Sequence, residues 1–205
     1  MKILNLYAGI GGNRKNWGED HEITAVEIDP QIAKIYQDHF PNDKVIIVDA
    51  HKYLEEHFSE YDFIWSSPPC PSHSRIRKVF KQNKPIYPDM KLYEEILFLK
   101  GYYKGKYCVE NVVSWYKPLD PPQELSKHYF WTNFSISSIE IQNRGMVGGK
   151  KQGWPPGELE RLRKIKGFNL EKYEGIDEIK LLRNCIEPET GKHILDCALN
   201  PNTLL

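Results

Sequence analysis

The sequence predicts a single α/β domain built around a doubly wound, mostly parallel sheet. Strand-like apolar runs alternate with helical patterns through roughly the first 110 residues, which is typical of parallel sheets. Glycines, acids and a cysteine fall where these strands end, and parallel sheets bind ligands at that edge. The chain has 205 residues, 40% of them hydrophobic, so it can form one core but is short for two ordinary domains. We therefore expect one domain over residues 1–205.

The predicted strands and helices follow one another in chain order. Strands are expected at residues 3–7, 23–27, 45–48, 63–66 and 107–110, and helices at residues 30–40, 52–58 and about 90–100. In the second half, aromatic or β-branched runs at 129–134 and 136–141 predict an antiparallel hairpin that completes the sheet. Helices are expected at 156–166 and from 189 to 199.

Composition argues against a membrane-spanning or secreted protein. No apolar run reaches the roughly 18 residues of a membrane span. The first residues lead directly into a strand, without the apolar core and cleavage site of a signal peptide. The four cysteines have neither paired nor histidine-matched spacing, so no disulfide framework and no metal site are predicted. We expect a soluble, cytoplasmic protein that makes no contact with membranes.

Charge is balanced overall but uneven along the chain. The 28 Lys and Arg residues match the 28 Asp and Glu residues, which argues against a generally polybasic protein. Basic residues nevertheless outnumber acids between positions 144 and 166. A second basic segment, residues 71–84, contains no acid. Its basic residues are Arg75, Arg77, Lys78, Lys81 and Lys84. Such segments are compatible with contact to a polyanion, with solvated loops as the alternative.

A glycine-rich turn, AGIGG at residues 8–12, follows the first predicted strand. We expect it to open a helix and to let a ligand approach the backbone closely, although such turns also occur without a ligand. Glu27 ends the second strand, where a carboxylate can accept hydrogen bonds from a ribose diol. Asp49 ends the third strand and could either accept a hydrogen bond from an adenine amino group or cap the next helix. The turn lacks the lysine of a phosphate-binding loop.

A cysteine is presented at the tip of the fourth predicted strand. The apolar run at residues 61–66 ends at Pro68 and Pro69, which place Cys70 on a stiff turn. This is a suitable position for a nucleophile, with an inert buried thiol as the alternative. Glu110 ends the neighbouring strand, so the two side chains are a candidate catalytic pair, with a structural salt bridge as the alternative for the glutamate.

Four short segments resemble, in the same order, the motif series of the cytosine-5 DNA methyltransferases. They are LYAGIGG at 6–12, VEID at 26–29, SPPCPSHS at 67–74 and ENV at 110–112, within roughly the first 115 residues. The resemblance implies a Rossmann-like S-adenosylmethionine-dependent methyltransferase fold and S-adenosylmethionine as methyl donor. It also implies a double-stranded DNA substrate from which the target cytosine is flipped out.

The resemblance also implies a role for each matching residue. Tyr7 would pack on the adenine, the turn at 8–12 would line the methionine part, and Glu27 would hold the ribose. Cys70 would be the nucleophile, and Glu110 would bind the flipped base. The implied cofactor-binding set is Tyr7, Ala8, Gly9, Ile10, Gly11, Gly12, Glu27, Ile28, Asp49, Pro69 and Asn184, and the catalytic set is Cys70, Glu110 and Arg144.

Elementary chemistry agrees with this pair of catalytic residues. Carbon 5 of cytosine is too weakly nucleophilic to accept a methyl group until a nucleophile adds at carbon 6. A thiolate such as that of Cys70 suits this addition. The addition moves electron density onto ring nitrogen 3, where a protonated or hydrogen-bonding carboxyl at Glu110 can stabilise it.

The chain departs from the family pattern at three places. Pro71 stands where the family usually has glutamine after the cysteine. Residues 142–144 preserve the start of the family's Gln-x-Arg-x-Arg element, but Met146 replaces its final arginine, and Lys127 is an alternative source of that positive charge. RNCI at residues 183–186 resembles the family's last motif, usually Gly-Asn-Ala-Val, so its asparagine would close the cofactor pocket.

Little of the chain is left for target recognition. Residues 141–182 can form only a reduced target-recognition-like insertion, since about forty residues do not make a separate large domain. Sequence readout would then come from this insertion, from the basic loop after Cys70, or from a partner chain. No oligomeric state is predicted.

We expect a compact DNA cytosine-5 methyltransferase of the restriction-modification or phage-encoded sort. Three alternatives stay open: an RNA cytosine as target, an exocyclic amino group as target, or a catalytically weak DNA-binding subunit that needs a partner. Residues 67–69 do resemble the Ser-Pro-Pro-aromatic loop of amino-group methyltransferases. Cys70, however, stands where that loop needs an aromatic side chain to stack on the base.

Overall fold

The computed structural model describes residues 1–75, 87–139 and 155–200 and has a seven-stranded sheet at its centre. The strands are β1 (Lys2–Leu6), β2 (Glu22–Val26), β3 (Lys44–Ile46), β4 (Phe63–Ser66), β5 (Lys106–Val112), β6 (Gln123–Leu125) and β7 (His128–Thr132). Their order is β3-β2-β1-β4-β5-β7-β6. The first five strands pair in parallel, and β7 is antiparallel to both β5 and β6. The predicted fold class, a doubly wound sheet finished by an antiparallel hairpin, is confirmed.

Six helices of the described ranges surround the sheet. They are α1 (Pro30–His39), α2 (Ala50–His57), α3 (Lys91–Tyr102), α4 (Glu158–Lys166), α5 (Glu178–Asn184) and α6 (Pro188–Leu199). Asp29 caps α1 by accepting hydrogen bonds from the backbone N–H groups of Gln31 and Ile32, and Pro30 occupies the first turn. None of the helices in these ranges is both long and apolar enough to cross a bilayer.

The two faces of the sheet are covered by different helices. Successive strand residues point to opposite faces, so Leu4 and Ile64 pack with α2 and α3. Ile3 and Trp65 face the other side and pack with α6. A third apolar cluster joins α1 to α4 and α5. Part of the predicted target-recognition-like insertion, residues 155–182, therefore belongs to the core of the domain.

The hairpin lies earlier in the chain than predicted. The strand at 129–134 is confirmed in large part by β7, but its partner is β6, and the expected strand at 136–141 is wrong because residues 136–139 form none. Residues 140–141 lie outside the described ranges. Ser126, at φ 58, allows a tight two-residue turn between β6 and β7. The Gln123 side chain donates to the Phe134 carbonyl (2.8 Å) and accepts from Ile136 N–H (2.8 Å). This side chain therefore satisfies backbone hydrogen-bonding groups in the segment after β7.

The helix predicted after the glycine turn is also wrong, since only a 3-10 turn, Arg14–Asn16, follows. The Arg14 guanidinium donates to the carbonyl of Gly18 (2.8 Å), whose φ of 82 ends the turn. Helix α6 packs against this turn. Trp17 Nε1 donates to the Gly191 carbonyl (3.0 Å), and a Cβ at Gly191 would lie 2.3 Å from the carbonyl oxygen of Asn13. The expected helix dipole at the glycine turn is therefore absent from this described segment.

A buried ion pair holds this turn to the end of α1. The guanidinium of Arg14, only 1% exposed, donates to both carboxylate oxygens of Asp43, at 2.8 and 3.0 Å. The Tyr36 hydroxyl donates to the same carboxylate at 2.8 Å. Because each charge is paired and hydrogen-bonded away from water, removing one partner leaves the other without compensation.

We predict that Asp43→Ala lowers the free energy of unfolding by about 3–5 kcal/mol, because it strands the buried Arg14 charge. Urea denaturation at neutral pH measures this loss. The control is Lys192→Ala, which removes an exposed pair with Asp196 and should cost less than about 1 kcal/mol. Equal losses in the two variants would contradict the account.

Candidate active site

The strand register places the ends of four strands in one row. Leu6 pairs with Val26 on one side and with Ser66 on the other. Ser66 in turn pairs with Val109. The residues that follow these four therefore lie side by side at the carboxyl edge of the sheet: Tyr7, Glu27, Ser67 and Glu110.

A pocket opens at this edge and collects part of the predicted cofactor-binding set. Five predicted residues line it: Tyr7, Glu27, Ile28, Asp49 and Pro69. Six further residues line it that sequence reasoning did not single out: Ala50, Pro68, His73, Asp89, Lys91 and Leu92. Apolar walls and carboxylates therefore lie together in this pocket, and its role as an adenosine site stays a prediction.

Glu27 connects the glycine turn to this pocket. Its carboxylate accepts hydrogen bonds from Gly9 N–H (2.9 Å) and Asp29 N–H (3.0 Å). Each carboxylate oxygen has further lone pairs, so Glu27 can still accept from a ribose diol. Gly9 has φ 56, and a Cβ built on it would meet no atom within 4 Å. The turn therefore has an open side at Gly9, which a bound ligand can approach.

The other residues of the glycine turn are occupied by packing. Ala8 and Ile10 are buried in the cluster with α1. A Cβ at Gly11 would clash with Phe40, and a Cβ at Gly12 would lie 2.0 Å from the Cys185 sulfur. These glycines permit close packing, and their contact with the cofactor stays a prediction.

Asn184 and Asp49 differ in their position relative to the pocket. Asn184 is exposed at the end of α5 and is not among the residues that line the pocket. Asp49 caps α2 by accepting from Lys52 N–H (3.1 Å), which lowers the pKa of its carboxyl. Asp49 also lines the pocket, so the helix cap and the adenine contact are compatible.

A fully buried carboxylate, Glu95, holds Tyr7, which lines the pocket. It accepts hydrogen bonds from the Tyr7 hydroxyl (2.5 Å), the Ser66 hydroxyl (2.5 Å) and His51 Nδ1 (3.1 Å). Burial, followed by the charge of Glu95, raises the pKa of Tyr7 far above its ordinary value. Tyr7 has the left-handed φ of 54, which costs energy in a non-glycine residue. Glu95 thus fixes a strained tyrosine in the pocket wall.

The turn that carries Cys70 is held by hydrogen bonds on both sides. The Cys70 carbonyl accepts from His73 N–H (3.0 Å) and Ser74 N–H (3.1 Å), which forms a compact turn after the prolines. Asn111 on β5 donates from Nδ2 to the Pro68 carbonyl at 2.9 Å. The thiol is therefore presented by a braced loop, as its position after two prolines predicted.

The electrostatics of Cys70 and Glu110 are coupled. Burial raises the pKa of the Glu110 carboxyl, while His128 and a hydrogen bond from the Ser67 hydroxyl oppose the rise. Trp65 Nε1 donates to the Ser67 oxygen at 2.8 Å, which orients that hydroxyl. Burial, and then the charge of Glu110, raise the pKa of the Cys70 thiol. The structure therefore brings the predicted catalytic pair close together.

The sequence suggested Arg144 or Lys127 as the basic residue near the target base. Arg144 lies outside the described residues. Lys127 is exposed at the tip of the hairpin. His128, one residue further along, places Nε2 3.7 Å from a Glu110 carboxylate oxygen. The β5–β7 pairing produces this contact, and the shift of the predicted hairpin concealed it.

We predict that Glu110→Gln speeds alkylation of the Cys70 thiol by iodoacetamide at least about twofold at neutral pH. The substitution removes a negative charge that raises the thiol pKa, so more thiolate is present. Mass spectrometry of the Cys70 peptide gives the rate, and Cys70→Ser gives the background. Glu124→Gln, an exposed acid on β6, is the matched control and should leave the rate unchanged. A slower rate in Glu110→Gln would contradict the coupling.

Comparisons with known proteins agree with this geometry. Residues 1–112 match the family model described as C-5 cytosine-specific DNA methylase. Over 90 residues, 41% of the chain, the sequence is 33% identical to a tRNA (cytosine(38)-C(5))-methyltransferase of Spodoptera frugiperda, and the match spans 27% of that protein.

Solved structures are similar in fold. The structure of the Entamoeba histolytica methyltransferase EhMeth aligns with a TM-score of 0.59 at 12% identity, over 98% of each chain. A mutant of Spodoptera frugiperda DNMT2 aligns with a TM-score of 0.46 at 19% identity, over 80% of this chain and 65% of that one. At such identities the EhMeth alignment supports the fold and nothing beyond it.

Proposed function

The chain belongs to the C-5 cytosine-specific DNA methylase family, and we propose that it methylates carbon 5 of a cytosine in double-stranded DNA. The observation that carries the proposal is the pairing of a braced thiol with a buried carboxyl at the ends of neighbouring strands. Cys70 and Glu110 stand beside a pocket that fits S-adenosylmethionine. When bound, this cofactor supplies an electrophilic methyl group.

Cys70 and Glu110 would divide the activation of the ring between them. The Cys70 sulfur adds to carbon 6 of the flipped cytosine and forms a C–S bond, and the electron pair of the C5–C6 double bond becomes available at carbon 5. Burial raises the pKa of the Glu110 carboxyl and so favours its protonated form, which would donate a hydrogen bond or proton to ring nitrogen 3. Carbon 5 would then take the methyl group, with S-adenosylhomocysteine as the leaving group. Transfer of the carbon 5 proton to a base and expulsion of the Cys70 thiolate would restore the aromatic ring.

The raised pKa values suit this division of labour. An ionised Glu110 keeps the thiol protonated by charge repulsion, whereas a protonated Glu110 lets the thiolate form more readily. When the Glu110 proton passes toward nitrogen 3, the sulfur is already bonded to carbon. The two charges therefore need not coexist in the buried site.

Recognition of the target sequence is a separate proposal. Three basic side chains in the described part of the 141–182 insertion already form ion pairs. The pairs are Arg161 with Glu158, Arg163 with Glu178, and Lys166 with Glu187. These cations are poor candidates for phosphate contacts. We propose that phosphate contacts come from the basic loop after Cys70, most of which lies outside the described residues, or that a partner chain supplies sequence recognition.

An RNA cytosine is the second candidate target. The relative from Spodoptera frugiperda is named for a tRNA cytosine, and the match includes a quarter of that protein's length. The Cys70 and Glu110 chemistry would be the same on either polymer, because it acts on one extruded base. The closing experiment therefore includes both nucleic acids.

We predict that the pure protein, given S-adenosylmethionine and duplex DNA containing 5-fluorocytosine, forms an adduct that survives denaturation. Fluorine at carbon 5 cannot leave as a proton, so the C–S bond to Cys70 persists. Denaturing gel electrophoresis and mass spectrometry detect the adduct. It should be lost in Cys70→Ser and retained in Cys197→Ser, which changes a buried cysteine on α6.

A parallel arm uses 5-fluorocytosine tRNA. If the adduct forms with tRNA and not with DNA, the target is an RNA cytosine. Methyl transfer to unmodified DNA that persists in Cys70→Ala would overturn the covalent mechanism altogether. Activity that requires a second protein would favour the subunit alternative.

A further inference from the structure

His73 has an unpaired polar atom that the mechanism above does not use. This side chain, in the turn after Cys70, is 1% exposed. Its Nε2 has no hydrogen-bond partner among the described residues, although it is buried. His73 also lines the pocket that contains Glu27 and Asp49. A buried polar atom without a partner is costly, and because His73 lines a pocket, a bound ligand can supply the missing partner.

A chain of hydrogen bonds determines which nitrogen of His73 carries the proton. Leu119 N–H donates to the Tyr93 hydroxyl (3.2 Å), and the Tyr93 hydroxyl donates to the Tyr116 oxygen (3.2 Å). The Tyr116 hydroxyl lies 2.6 Å from His73 Nδ1. Because the Tyr116 oxygen accepts from Tyr93, its own proton is available to Nδ1, and we assign that donation. The remaining imidazole proton is then on Nε2, which becomes a donor.

The environment keeps this imidazole neutral. Burial lowers the pKa of His73, and the nearby Asp89 opposes that effect only in part. A neutral N–H donor suits an uncharged acceptor better than it suits a carboxylate. A carboxylate of the ligand could pair instead with Lys91, which lines the same pocket. The other polar side chains of the pocket, including Glu27 and Asp49, are mainly acceptors. The N–H of His73 therefore complements them.

We propose that His73 binds the cofactor by donating a hydrogen bond from Nε2 to a ring nitrogen of the adenine of S-adenosylmethionine. The apolar residues Ala50, Leu92 and Pro69 line the same pocket and provide surfaces for a flat ring. Asp49 would accept from the exocyclic amino group while His73 donates to the ring. The inference depends on the cofactor of the family and not on whether the target is DNA or RNA.

The first test measures binding of S-adenosylhomocysteine, the stable product, by titration calorimetry without nucleic acid. His73→Phe should weaken binding about 3- to 10-fold, which is the usual effect of losing one hydrogen bond. His21→Phe is the matched control. His21 also has a buried unpaired nitrogen, but it lies just before β2, away from the pocket. The His21→Phe variant should therefore bind S-adenosylhomocysteine as tightly as the wild type does.

The second test uses analogues in which one ring nitrogen of the adenine is replaced by C–H. The wild type should bind one of the 1-deaza, 3-deaza and 7-deaza forms of S-adenosylhomocysteine more weakly than the parent. His73→Phe should lose that discrimination. If His73→Phe binds the parent compound as the wild type does, or if it keeps the same discrimination, the proposal is wrong. A loss of nucleic-acid affinity with unchanged cofactor affinity would also overturn it.

Imidazole nitrogen NMR tests the hydrogen-bond chain directly. In unbound wild-type protein His73 should be the Nε2–H tautomer, and its proton should become protected from exchange when S-adenosylhomocysteine binds. Tyr116→Phe removes the donor to Nδ1, so it should populate the other tautomer and weaken binding. An Nδ1–H tautomer in the wild type would contradict the assignment. A protein that binds the cofactor as expected but methylates nothing would refute the proposed function and leave this inference intact.

Discussion

The parallel register of β1, β2, β4 and β5 is the constraint on which the site depends. Because Leu6 pairs with both Val26 and Ser66, and Ser66 pairs with Val109, residues from four distant segments end in one row. A slip of one residue in any pair would turn a site side chain toward the opposite face of the sheet. The apolar packing on both faces prevents such a slip, since each strand has buried side chains on each side.

Two buried carboxylates near this row have opposite functions because their hydrogen bonding differs. Glu95 accepts from three donors and acts as a structural anchor for Tyr7. Glu110 has fewer hydrogen-bond donors: the Ser67 hydroxyl bonds to it, and His128 Nε2 lies 3.7 Å from a carboxylate oxygen. Burial raises the pKa of Glu110. A carboxyl with a raised pKa takes up a proton more readily and can pass it to a base. The difference separates a scaffold residue from a candidate acid.

The site residues that directly follow strands could be predicted from the sequence, whereas those that reach the site through tertiary packing could not. Glu27, Asp49 and Cys70 stand at strand ends that alternating patterns reveal, and the pocket and nucleophile turn follow from them. Glu95 was not visible because a lone acid in a helical pattern does not show which face it occupies. His128 was missed because the hairpin register depends on a turn at Ser126 that no simple signal marks. The short 3-10 turn after the glycines depends on contacts with α6, which is distant in the sequence.

Release of tritium from carbon 5 tests the central claim most directly, namely that the paired strand ends activate that carbon. The protein is given S-adenosylmethionine and duplex DNA in which cytosine carries tritium at carbon 5. The account predicts that one tritium enters water for each methyl group transferred, and that release stops in Cys70→Ser. Methyl transfer with the tritium retained in the DNA would place the methyl group on another atom and contradict the account.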